Sequence, residues 1–361
     1  MKPRILILLG TKAQLIKMAP VIQRLQKQNV PFSLLFTGQH RETIAALREN
    51  YGLRDFDFIF YYGKDISRPS QFPAWFWQVW NSAQAQKSHF LSDTAQNQIL
   101  LVHGDTFSTL LGAILGKLWH VKVAHVEAGL RSYHWLQPFP EEVVRVLVSQ
   151  LSDISFCPGN WARDNVKTRA VKIDTQQNTL WDTVKQAMGR KTTISLPSTL
   201  FGVVSLHRFE TLYNHNQLRQ ALRIIFRASR RTPLYFILHP ATQHRLIKLG
   251  WLRVLQKMPN IHLLPRLDSV NFLHLVSHSQ FVLTDGGSNQ EECSYLGVPT
   301  LLLRQTTERQ EGLGENVCLS RFDHAQTNEF LTHLDHYRRK PLSQSISPSQ
   351  IIVDWLKENY S

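Results

Sequence analysis

Cysteine is scarce in this 361-residue chain: Cys157, Cys293 and Cys318 are far apart and odd in number. That excludes a disulfide framework, offers no zinc-ligand spacing, and fits a reducing compartment, the cytoplasm. Acidic residues are also short, 27 against 41 lysines and arginines, which leaves a formal charge of +14. Long apolar runs are missing. The opening segment, MKPRILILLG, carries two cations and a run too short for a signal-peptide core with a cleavage site or for a bilayer span. It reads as a first β-strand. No internal repeat, low-complexity tract or nucleic-acid-binding signature accompanies the positive charge.

A charge of this sign suits nucleic acid, a membrane surface or an anionic small substrate. The basic residues are spread along the chain and are densest at Arg219, Arg223, Arg227, Arg230 and Arg231. The first three repeat every four residues and line one helix face, either solvated or drawn to anionic lipid headgroups.

What is present is core material, 43% hydrophobic, in alternating strand and helix patterns over a length that suits two domains. Strands are predicted at Ile5–Leu9, Phe32–Phe36, Ile99–Val102, Val121–Val126 and Ile154–Phe156, with helices between them at Ile16–Gln28, Ser108–Leu118 and Glu141–Leu151. The pattern restarts at Phe201–Leu206, Leu234–Leu238, Ile261–Leu264, Phe281–Leu283 and Thr300–Leu303. The expected fold class is α/β, two open parallel sheets covered by helices with an interdomain cleft. The domains are expected at 1–170 and 171–361, with the linker within the polar stretch 170–200. The final helical pattern, Ser347–Tyr360, is able to pack back on the N-terminal domain. Residues 70–80, SQFPAWFWQVW, break the regularity: three tryptophans and two phenylalanines suit a core helix or an oligomer or membrane contact.

Ligands of such sheets gather at the carboxyl ends of strands, where the notable residues lie. Phe281–Leu283 runs into Thr284-Asp285-Gly286-Gly287-Ser288 and a helix ending at Gly297-Val298-Pro299. Strand, glycine turn and helix point unpaired N–H groups at an anion, Ser288 adds a hydroxyl, and Glu292 one turn on suits ribose hydroxyls. An ordinary capped βαβ corner gives the same local pattern. Asp105, Glu127 and Glu141 fall on strand ends or a helix start, where they serve as helix caps or as an acid/base set at the cleft. His103, Asp105, His125 and Glu127 are metal-ligating types, but no metal is expected there. His207 and Arg208 end another strand, a pair suited to neutralising a diphosphate or protonating a leaving group.

Nine segments, in order, carry a family resemblance: GTKAQLIKMAP (10–20), TGQHRE (37–42), VHGDTFSTL (102–110), HVEAGLRS (125–132), PFPEEVVR (138–145), LHRFE (206–210), TDGGSNQEE (284–292), LGVP (296–299) and RQTTERQE (304–311). Together they resemble the UDP-N-acetylglucosamine 2-epimerases over nearly the whole chain. The resemblance implies the GT-B fold of two Rossmann-like domains and a homodimer. It also implies interconversion of UDP-GlcNAc and UDP-ManNAc by elimination and re-addition of UDP, for surface polysaccharide, with no metal and no redox cofactor. It assigns acid/base roles to Asp105, Glu127 and Glu141, a catalytic role to His207, and phosphate contacts to Lys17 and Arg145. Gly286, Gly287 and Ser288 would bind the diphosphate, Glu292 the ribose, and the backbone at Phe272 the uracil. Thr11, Lys12, Arg208, Glu308 and Arg309 complete the implied substrate set.

This chain departs from the family at several motifs. Gly-Thr-Arg-Pro-Glu is Gly-Thr-Lys-Ala-Gln here, so Lys12 keeps a charge and loses a bidentate fork. Asp-Ser-Gly-Gly is Asp-Gly-Gly-Ser, which moves a hydroxyl from 286 to 288. His-Arg-Arg-Glu is His-Arg-Phe-Glu, which removes a cation at Phe209. Gly-Asn-Thr is Gln177-Asn178-Thr179, and segment 70–80 has no family counterpart. Gln39-His40-Arg41-Glu42 matches the allosteric motif of non-hydrolysing members, with Gln39 and His40 as the contacts. The alternatives are a hydrolysing epimerase, or a glycosyltransferase or sugar-binding protein held at a membrane or partner by its charge and its aromatics.

Overall fold

Short apolar runs bounded by glycine turns build two all-parallel sheets in this computed structural model, which describes residues 2–42, 44–66, 69–135 and 140–360. The first unit comprises residues up to Thr183 together with those from Ser345 onward; the second is Val184–Gln344. In the first, β1 (Ile5–Leu9), β2 (Phe32–Phe36), β3 (Phe58–Ile59), β4 (Ile99–His103), β5 (Lys122–Val126), β6 (Ile154–Cys157) and β7 (Val171–Asp174) lie in the order β3-β2-β1-β4-β5-β6-β7. In the second, β8 (Gly202–Leu206), β9 (Leu234–Leu238), β10 (Ile261–Pro265), β11 (Phe281–Thr284), β12 (Thr300–Leu302) and β13 (Val317–Leu319) lie in the order β10-β9-β8-β11-β12-β13. Each sheet reverses its winding once, between β1 and β4 and between β8 and β11. Those two switch points are where a doubly wound sheet opens toward a ligand.

The central strands are buried on both faces, which is why they read as unbroken apolar runs. The edge strands β3, β7 and β13 escaped the sequence pattern, while the fourth edge, β10, did not. β7 is exposed along half its length and lies inside the polar stretch expected to hold the linker. Its pairing with β6 carries the first unit past residue 170, and the helix Leu180–Met188 spans the change of unit.

The helix Lys12–Lys27 contains Pro20, which has no N–H to return to the carbonyl of Ile16. The Thr183 hydroxyl donates to that carbonyl at 3.0 Å. The last helix, Pro348–Tyr360, packs in the first unit, where Ile352, Val353 and Leu356 are fully buried. Burial of each contributes roughly 1.5–3 kcal/mol. Arg24 reaches Ser347, Ser349 and Gln350 at 2.9, 3.0 and 2.6 Å, and Asp182 accepts from the Ser349 N–H at 2.9 Å.

The aromatic segment opens the helix Phe72–Phe90 and is core on one face only. Trp75 is buried and donates its indole N–H to the Thr37 carbonyl at 3.1 Å, while Phe72 packs on Phe107 at 4.3 Å. Phe76 and Trp80 stack half-buried, and Trp77 stands 65% exposed. No helix among the described residues is long and apolar enough to cross a membrane.

Candidate active site

At the first switch point, the segment after β1 caps its helix with Thr11, whose hydroxyl accepts from the Gln14 N–H at 3.3 Å. Gln14 ties the two switch strands together. Its carbonyl accepts from Gly10 N–H (2.8 Å) and Thr11 N–H (3.1 Å). Its amide donates to the His103 carbonyl (2.8 Å) and to the hydroxyls of Thr106 and Thr109, both at 3.0 Å. A carboxylate there would lack the donor for the carbonyl, so the glutamine suits this site. Gly10 is obligatory, because a β-carbon would fall 1.9 Å from Ser108 Oγ and 2.2 Å from Thr37 Oγ1.

Glu127 follows β5 with φ +66°, a conformation uncommon outside glycine and costly enough to mark a site. Its carboxylate is buried and accepts from Lys17 Nζ and Asn178 Nδ2, with His103 Nε2 3.8 Å away. Asp105 follows the positive-φ Gly104 and accepts from Arg145 Nη2. Lys17 and Arg145, expected on phosphate, are therefore each paired with a carboxylate, Glu127 and Asp105. Of the adjacent acids that open the helix Glu141–Leu151, Glu141 is half-buried and Glu142 fully buried. Glu142 takes Arg131 Nε at 2.5 Å, Ser132 N–H at 3.0 Å and Arg145 at 3.5 Å. Burial would raise its pKa, but the Ser132 N–H and the Arg131 guanidinium outweigh that and hold it low. Pro138 and Phe139, part of the motif expected to lead into Glu141, lie outside the described residues.

Gln39 and His40 sit close by in the same unit. Gln39 is buried and its carbonyl accepts from Ser108 Oγ at 2.7 Å; the His40 N–H donates to the Gly10 carbonyl at 2.8 Å. Lys12 faces Asp65 at 3.8 Å, and Asp65 also accepts from the N–H groups of Arg41 and Glu42 at 2.6 and 2.8 Å.

At the second switch point, fully buried Asp285 joins the ends of β11 and β8. It accepts from the N–H groups of His207 at 2.9 Å and Arg208 at 3.1 Å. The helix Gly287–Leu296 begins with no side-chain cap bond at Gly286. All its residues are buried except Ser288 and Glu292, which lie four apart on one face. Glu292 accepts from Asn289 Nδ2 at 2.9 Å. Amide donors, a hydroxyl and a carboxylate at one helix start form an anion cradle flanked by a hydrogen-bond acceptor. Glu308 bridges Arg208 (3.2 Å) and Arg304 (3.1 Å), while Arg309 pairs with Glu291 at 2.6 Å. Phe272 is half-buried on the helix Ser269–Ser277, after β10.

His207 packs against His239 with ring centroids 4.8 Å apart. Burial lowers the pKa of His207, Asp285 opposes this, and Arg208, Arg266 and Arg304 reinforce it. Burial, His207 and Arg266 push His239 to about 4. Burial likewise pushes His103 to about 4, and neither of its ring nitrogens has a hydrogen-bond partner among the described residues. Sequence reasoning did not place Gln14, Glu142, Asn178, His239, Asp285 or Arg304 at these sites. Asp285 had a local signal, its place directly before the double glycine; Gln14, Glu142, Asn178 and Arg304 lay within matched motifs, and His239 had neither.

These shifts carry a stability prediction. His103 and His239 have folded pKa values near 4, below the ordinary 6.5, so the unfolded chain binds more protons between those limits. Their contribution to stability is fully present above about pH 6.5 and is lost as pH falls toward about 4. Thermal melts across that window should show Tm falling with pH, and His103→Gln should flatten the slope. A flat profile in the wild type would refute the buried neutral imidazoles.

The fold and its two switch points define a GT-B-like protein: two Rossmann-like units, one carrying a carboxylate–cation cluster and the other an anion cradle. A family model described as UDP-N-acetylglucosamine 2-epimerase matches residues 23–344. The UDP-N-acetylglucosamine 2-epimerase of Bacillus subtilis (strain 168) is 28% identical over 96% of this chain and 91% of its own. That of Campylobacter jejuni is 31% identical over 88% of this chain and 85% of its own. The crystal structure of UDP-GlcNAc 2-epimerase from Neisseria meningitidis bound to UDP-GlcNAc is similar with TM-score 0.81 and 27% identity, covering 98% of this chain and 100% of that one. The chain belongs to the UDP-N-acetylglucosamine 2-epimerase family.

Proposed function

We propose that this protein interconverts UDP-GlcNAc and UDP-ManNAc without hydrolysis: the C2 proton is removed as UDP departs from C1, and UDP adds back to C1 as C2 is reprotonated on its other face. The observation that carries this reading is the pairing of acid/base carboxylates with cations at the ends of β4 and β5. Removal of the C2 proton needs a carboxylate, and departure of UDP needs donors at the diphosphate. Asp105, about a fifth exposed, and half-buried Glu141 are the groups for C2. Buried Glu127 orients Lys17. Gly286, Gly287 and Ser288 hold the diphosphate with Arg208, Glu292 takes the ribose, and His207 stands at the leaving group. The Gln39-His40-Arg41-Glu42 segment supports the non-hydrolysing form. A homodimer is the proposed assembly, with Trp77 and the half-buried Phe76 and Trp80 as a contact face.

Proton NMR of the protein with UDP-GlcNAc in D₂O tests the reading. UDP-ManNAc carrying deuterium at C2 is expected. Free ManNAc with UDP would replace this proposal with hydrolysis, and absence of both exchange and product would refute it.

A further inference from the structure

Between Glu210 and Asp268 the chain has no acidic residue, and this acid-free segment contains the densest basic group of the molecule. It folds into the strands β9 and β10 of the second unit and the helices beside them, including the helix His215–Ser229, HNQLRQALRIIFRAS. Leu218, Ala221, Leu222, Ile225 and Ala228 bury one side of that helix. Arg219, Arg223 and Arg230 are exposed on the other side, at the four- and seven-residue steps of a single stripe. None of the three has an ion pair or a side-chain hydrogen bond among the described residues. Like charges four apart destabilise a free helix, so burial of the apolar side holds this row together against its own repulsion.

Phe226 falls in the same stripe, between Arg223 and Arg230. Its half-buried ring lies 6.2 Å from that of Trp251, which opens the helix Trp251–Gln256. That neighbouring helix exposes Arg253 and Val254, and Lys257 is exposed just past its end. The Phe226–Trp251 contact thus joins the arginine row to a second helix that exposes cations and an aliphatic side chain. A uniformly cationic face of this kind, with aromatic rings at its level, matches an anionic bilayer surface, where headgroup phosphates take the guanidinium groups and indole rings favour the interface. Nucleic acid fits it less well: the helix is embedded in its layer along its length and cannot enter a groove, and the ring pair at the row, Phe226 and Trp251, is half-buried and offers no stacking platform. We propose that this face of the second unit docks the protein peripherally on membranes rich in anionic phospholipid.

The test is co-sedimentation of the full chain with vesicles of phosphatidylcholine alone and of an equimolar phosphatidylcholine–phosphatidylglycerol mixture. Binding to the second and not the first is expected, at about 0.1 M salt and lost near 1 M as screening shortens to a few ångströms. Each cation near such a surface is worth about fivefold in partition. The triple substitution Arg219→Gln, Arg223→Gln, Arg230→Gln should therefore weaken binding on the order of 100-fold while turnover of UDP-GlcNAc stays at the wild-type rate. Salt dependence of the wild type tests the charge independently of that variant. Failure of the wild type to bind, binding that survives high salt, or a triple variant that is folded and binds undiminished would each overturn the proposal. Displacement of the bound protein from vesicles by an equal phosphate concentration of single-stranded RNA would overturn it in favour of nucleic acid.

Discussion

Asp105→Asn should lower kcat by about 10²–10⁴ while the protein stays folded. Asparagine has the same shape and cannot take up a proton at neutral pH. Asp105 sits at the end of β4 beside Arg145, and with 21% of its side chain exposed it is open to a substrate, whereas Glu127 at 4% is not. C2 hydrogen–deuterium exchange should fall in parallel with turnover, with KM shifting only a few-fold. Wild-type exchange in the variant would exclude Asp105 as the C2 base and leave Glu141. Glu127→Gln separates the two roles, because it costs stability as well. It removes the carboxylate facing Lys17, whose side chain is 6% exposed. Breaking a buried pair from one side costs about 3–5 kcal/mol, on the order of 10 °C in Tm for a domain of this size. A variant active and melting with the wild type would deny Glu127 its place.

Gly286→Ala should reduce kcat by about 10²-fold with UDP affinity nearly unchanged. The backbone at 286 has φ −86° and ψ 127°, which alanine adopts freely, so the effect is steric. The added β-carbon would stand 2.5 Å from His207 Cε1 and 2.8 Å from Asn289 Oδ1. Asp285 still holds the His207 backbone N–H, so the imidazole has to turn while the strand end stays. Gly250→Ala is the control. There φ is +75° with open space around the position, so it strains the backbone without touching His207. Full activity in Gly286→Ala, with the fold confirmed by melting, would mean the ring position does not matter to the reaction.

The same glycine shows how far local pattern reaches. Thr284-Asp285-Gly286-Gly287 was legible as a strand-to-helix anion cradle because turn chemistry depends on neighbours in sequence. Asp285 was passed over as a site residue because its task is joining β11 to β8, across 78 residues. Gln14 shows the same limit: it reads as a capping residue for its own helix, yet its amide donates to partners 89 to 95 residues away. Glu127 was found from its motif, and its buried partner Asn178, 51 residues on, was not assigned to it. Lys17 and Arg145 were legible as cations for the site, but their pairing with Glu127 and Asp105 was not. Charge at a position is readable, but the partner depends on which strand ends meet.

Sequence by itself determined the alternation of strand and helix, the two-sheet α/β class, the glycine turns and the family, because each rests on periodicity, turn geometry or motif order within short windows. Tertiary structure decided the edge strands β3, β7 and β13, the extent of the first unit past residue 170 and the return of the last helix to it. It also decided which aromatic residues of 70–80 are core and which carboxylate meets which cation. The edge strands β3 and β7 bury too little to carry an apolar run, and ion pairs form between side chains that only the closing of each sheet brings together.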